Sequence, residues 1–98
     1  MKNTKKRGIK KKSDIIEVHI ILAAVGVMQD EINGPIPTDE LSFCLRVDFK
    51  HKIKETNLLS LLNQAVNSNF VENTLQGWQL TSDGAQIADD TLEILNQL

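Results

Sequence analysis

The sequence predicts an α+β domain, mostly α, with four helices and one β-hairpin. Three observations predict it. The stretch Phe70 to Gly84, FVENTLQGWQLTSDG, reads as a strand, a polar turn containing Gly77, a second strand and a helix start. An amphipathic segment, Asn57 to Asn69, stands immediately before it. Two longer stretches, Ser13 to Asp30 and Ser82 to Leu98, carry broad apolar faces at helical spacing. A chain of 98 residues fits one domain whose core suffices to fold alone.

Residues Met1 to Lys12 show no hydrophobic periodicity and are expected to form a disordered basic arm, leaving 13–98 as the folded domain. Ser13 is the expected N-cap of the first helix, with Asp14 and Glu17 in the first turn, where the helix dipole favours acids. Val18 to Met28 is apolar almost all round, so this helix is either central in the core or shared with a second subunit. Asn33-Gly34-Pro35 stops it. Ile36, held between Pro35 and Pro37, is a short edge strand or an extended turn. Thr38 is the expected cap of a second helix that begins Asp39-Glu40-Leu41 and buries Leu41, Cys44 and Leu45.

Val47 to Glu55 supports two readings. It is a loop, or the second helix continues, because Leu41, Leu45, Phe49 and Ile53 keep a four-residue spacing. The third helix runs from about Thr56 to Ser68, with Leu58, Leu62, Ala65 and Val66 as its buried stripe. Phe70 to Glu72 and Trp78 to Leu80 pair as the hairpin, with Asn73 to Gly77 at its tip. Thr81 or Ser82 caps the last helix, whose apolar residues Ile87, Ala88, Leu92, Ile94, Leu95 and Leu98 cover more than one stripe.

Helix, hairpin and helix at this spacing resemble the winged helix-turn-helix superfamily. GWQLTSDG is similar to the final wing strand and helix start of many of its members. The resemblance implies a winged helix with a C-terminal helix after the wing. It also implies that the third helix enters the major groove of duplex DNA while the wing touches the backbone or minor groove. Carried over by position, Ser60, Asn63, Gln64 and Asn67 face bases, and Thr74 and Gln76 stand at the wing tip. Asn and Gln can pair bidentately with adenine, so these residue types suit the task. The departure from the pattern is the long Val47 to Glu55 segment, where a tight helix-turn-helix has about three or four residues.

Charge points the same way. Seven of the eleven basic residues lie within the first twelve positions, and all thirteen acids come later. The rest of the chain therefore carries four positive and thirteen negative charges, a balance of −9. Neither the third helix nor the hairpin tip holds a Lys or Arg. Phosphate neutralisation must then come from Lys5, Lys6, Arg7, Lys10, Lys11 and Lys12 of the arm and from Arg46, Lys50, Lys52 and Lys54 after the second helix.

Other chemistries find no support. The single cysteine, Cys44, forms no internal disulfide and suits a reducing cytoplasm. His19 lies in an apolar helix and His51 among lysines, so no metal site or cofactor is expected. Asp89 and Asp90 are adjacent on a helix and diverge, which denies them paired catalysis. No glycine-rich phosphate loop occurs, and no enzyme is expected. The apolar run Ile15 to Met28 is too short for a bilayer and includes Glu17 and His19. The expected function is that of a cytoplasmic DNA-binding transcriptional regulator. It would pair as a homodimer through its first and last helices, whose apolar surface exceeds what a small monomer readily covers. The alternative is a winged-helix protein-interaction module with an acidic docking surface.

Overall fold

The computed structural model describes residues 14–98. In chain order it contains α1 (Glu17–Ile32), α2 (Thr38–Val47), α3 (Glu55–Asn67), β1 (Val71–Thr74), β2 (Gly77–Leu80) and α4 (Ser82–Gln97). This is a mostly helical α+β fold of four helices and a two-stranded antiparallel hairpin.

α1 is the central helix. Six successive residues, Ile20 to Val25, are buried, which is possible only when neighbours cover every side. α4 makes the most extensive packing against it. Gly26 allows the close approach, since a Cβ there would stand 3.3 Å from that of Ala88. Gln29 Oε1 accepts from the Leu80 amide at 3.0 Å, so the late part of α1 meets the start of α4 and the two helices run antiparallel. The expected start at Ser13 is corrected. The helix begins at Glu17, Ile16 holds the cap position without a side-chain cap bond, and Ser13 lies outside the described residues. At the other end the helix passes Asp30 and stops at Asn33. Asn33 takes a left-handed conformation (φ 64°, ψ 46°) and donates its N–H to Gln29 O at 2.7 Å.

The cap of α2 is corrected too. Pro37 occupies the cap position, and Thr38 is the first helical residue. The Thr38 hydroxyl accepts from Trp78 Nε1 at 2.9 Å instead, tying α2 to the hairpin. Leu41, Cys44 and Leu45 are buried as the spacing predicts. Burial pushes the Cys44 thiol up to about 12, and the Asp48 carboxylate beside it acts in the same direction.

The Val47 to Glu55 segment is a loop. Asp48 donates back to Cys44 O at 2.8 Å, and Lys50 then turns the chain with φ 53°. Phe49 and Ile53 still pack on the core, from the loop rather than from a helix. Their four-residue spacing therefore reflects two anchoring points of an irregular segment.

α3 buries Leu58, Leu62 and Ala65, with Val66 partly covered at the flank. The hairpin strands extend further than expected. Thr74 pairs with Gly77, so the tip is only Leu75-Gln76. Ile36 joins as a third, one-residue strand: Ile36 N donates to Trp78 O at 2.8 Å, and Trp78 N donates to Ile36 O at 2.9 Å. Thr81 rather than Ser82 caps α4, its Oγ1 accepting from Gly84 N at 3.0 Å. The buried residues of α4 are Gly84, Ala88 and Thr91. Ile87, Leu92, Ile94 and Leu95 are half-buried, while Leu98 remains 48% exposed.

Candidate nucleic-acid interface

The orientation of α3 follows from its buried stripe. At about 100° per residue, positions opposite Leu58, Leu62 and Ala65 point straight to solvent. Ser60, Asn63 and Asn67 occupy them and Gln64 lies towards one flank; all four are exposed. Thr56 and Asn57 in the first turn are exposed on the same side. Sequence reasoning omitted this pair, although Thr56 stands four residues before Ser60 and Asn57 seven before Gln64. The result is an uncharged surface of amides and hydroxyls about three turns long.

The cations gather at the amino end of this helix. Arg46 from the last turn of α2 and Lys52 and Lys54 from the loop line a cleft of about 360 Å³, together with Ser42 and Ile53. Lys54 is also the cap residue of α3 and makes no side-chain cap bond. Lys50 is exposed on the same loop. These four are all the Lys and Arg residues among the described residues. The folded body is strongly acidic, yet its positive charge is concentrated in the last turn of α2 and the loop that leads into α3.

The start of α1 reaches the same region. Glu17 Oε2 and His51 Nε2 stand 2.7 Å apart, joining α1 to the cationic loop. Ile16, Glu17 and Val18 line a depression of about 250 Å³ shared with Leu61, Gln64, Ala65, Ser68 and Phe70. The chain therefore enters the folded body between the loop and α3. Lys5, Lys6, Arg7, Lys10, Lys11 and Lys12, the expected arm cations, lie outside the described residues.

The hairpin contributes less than expected. The Thr74 hydroxyl donates to Gly77 O at 2.8 Å and receives the Gln76 amide at 3.2 Å. It closes the turn, and Gln76 beside it is exposed. Glu72 accepts from Gln79 Nε2 at 2.8 Å on the exposed ladder. Leu75 at the tip is fully exposed.

Among the described residues no group of three or more His, Cys, Asp or Glu side chains is placed to hold a metal ion. No described helix is long and apolar enough to cross a membrane. No protein-family model, curated protein or solved structure matches this chain.

Proposed function

We propose that the chain is a winged-helix DNA-binding protein, a cytoplasmic transcriptional regulator that seats α3 in the major groove of duplex DNA. One observation carries this reading: α3, with its exposed amide and hydroxyl face, is capped by Lys54 of the cationic loop, and that loop meets the start of α1, where the basic N-terminal segment joins the body. An uncharged face can read base edges, while the flanking cations hold the phosphates. The single bridge from Ile36 to Trp78, beside the two-stranded hairpin, supports reading the hairpin as a wing.

The test separates base reading from charge. Replacing Asn63, Gln64 and Asn67 together by alanine should cost roughly 1–3 kcal/mol per base pair read at a selected site and leave random duplex nearly unaffected. Gel shifts on both DNAs measure the difference. A triple variant that binds every duplex as the wild type does would displace this reading.

Two copies on one duplex remain part of the proposal. The structure narrows the surface available for pairing, because α1 and α4 cover much of each other within one chain. What is left on these helices includes Ile32, 43% exposed, Leu98 and the half-buried Ile94 and Leu95. Light scattering at tens of micromolar should give twice the 11.0 kDa chain mass. A mass of one chain would remove the dimer.

A second reading, a protein-interaction module, has its own observation. A groove of about 320 Å³ between α1 and α4 carries Asp30 and Asp89, and the hairpin ends in the fully exposed Leu75. An acidic groove and an apolar tip suit a basic protein partner better than phosphate. This reading takes first place if duplex binding proves insensitive to the α3 face.

A further inference from the structure

The outer face of α2 carries an aromatic ring that the fold does not use. Phe43 is 56% exposed, while Leu41, Cys44 and Leu45 on the other side of the helix bury completely. Its one ring contact of note is with Arg46, whose guanidinium carbon stands 5.3 Å from the ring centroid. Arg46 also lines the cleft with Lys52, Lys54, Ser42 and Ile53. One side chain thus links an exposed aromatic surface to a cationic concavity with no acid among its described lining residues. The acids of α2, Asp39 and Glu40, belong to the first turn, about 10 Å along the axis from Arg46, and Asp48 at its C-cap and Glu55 at the start of α3 flank the cleft in sequence without lining it.

Aromatic stacking beside a cationic groove is the arrangement that holds single-stranded nucleic acid. Bases stack on the ring and the guanidinium plane, and the phosphates follow the lysines. A protein-docking hot spot also favours aromatics and arginine but is depleted in lysine, whereas two lysines line the cleft beside this ring. We propose that Phe43 and Arg46 form a stacking platform for an unpaired base, with the phosphate beside it held in the Lys52 and Lys54 cleft. The platform shares its cations with the duplex reading but not the α3 face, so the two proposals fail separately.

Fluorescence anisotropy with a labelled oligothymidylate of about eight nucleotides tests it against an abasic oligonucleotide of equal length. The wild type should bind the thymidylate about tenfold more tightly than the abasic strand. Phe43→Ala should abolish that difference by weakening the thymidylate alone, and Phe43→Trp should restore it. Phe43 is exposed, so circular dichroism should show both variants folded. Lys52→Ala with Lys54→Ala should reduce the salt slope on both strands by about 0.7 per phosphate lost. The triple alanine variant at Asn63, Gln64 and Asn67 should bind the thymidylate as the wild type does. The proposal is overturned if Phe43→Ala binds thymidylate like the wild type, or if the abasic strand binds equally well. It is overturned too if the wild type does not bind thymidylate at micromolar concentration.

Discussion

Gly84→Ala should lower the unfolding free energy by about 3 kcal/mol or more, a large part of the stability of a domain this size. A Cβ on Gly84 would fall on the carbonyl oxygen of Phe70 and crowd its carbonyl carbon as well. That oxygen accepts from the Thr81 amide at 3.0 Å, so the intrusion strikes the bond that closes the hairpin onto α4. Both sides of the clash are backbone, and no rotamer change relieves it. The first turn of α4 must retreat. Its retreat would disturb the Thr81 cap and the Thr81 hydroxyl bond to Asn69 O, 2.7 Å long. Gly34→Ala is the matched control, since nothing lies within 4 Å of a Cβ there. Urea denaturation should place Gly34→Ala within about 0.5 kcal/mol of the wild type. A Gly84→Ala midpoint equal to that of the control would show that this close approach is not part of the native packing.

Charge removal should have the largest effect on DNA affinity. Each phosphate neutralised contributes about −0.9 to the slope of log affinity against log salt. Changing Arg46, Lys50, Lys52 and Lys54 together to glutamine would then flatten the slope by up to about 3.6, and deleting residues 1–12 by more. At low salt, either change should weaken random duplex by about two orders of magnitude or more. The losses should apply to every sequence alike, because phosphates carry no sequence information. The acidic body sharpens the expectation: its surplus of nine negative charges becomes thirteen once these four cations are gone, and it repels DNA. A salt titration that gives the same slope for the wild type and the loop variant would take the 46–54 cations out of the mechanism.

The hairpin was legible because its signals are local. Alternation around Val71 and Trp78 and a glycine at position 77, where φ is 137°, mark the turn without reference to the rest of the fold. The polar face of α3 was legible for a similar reason: Leu58, Leu62 and Ala65 define the inside, and the outside follows by geometry. The loop after α2 was not legible. Leu41, Leu45, Phe49 and Ile53 satisfy a helical spacing, and only the left-handed Lys50 shows that the chain has left the helix. The cap at Thr38 failed for another reason. A hydroxyl before a helix is a local invitation, and the Trp78 indole outbid the helix end for Thr38. Thr91, 3% exposed, went unnoticed as a core position because a polar residue breaks the apolar pattern.

By itself the sequence determined four helices and a hairpin, the inward and outward sides of α3, and an excess of positive charge at the amino terminus over an acidic remainder. The tertiary structure decided what covers α1, where Gly26 admits Ala88 and turns an apparent oligomer surface largely into core. It also decided that the start of α1 meets both the cationic loop and α3, through pairs such as Glu17 and His51, 34 residues apart. Periodicity and capping are written in neighbouring residues, so they can be read along the chain. Which surfaces meet depends on contacts between residues far apart in sequence, and only the packed core selects among them.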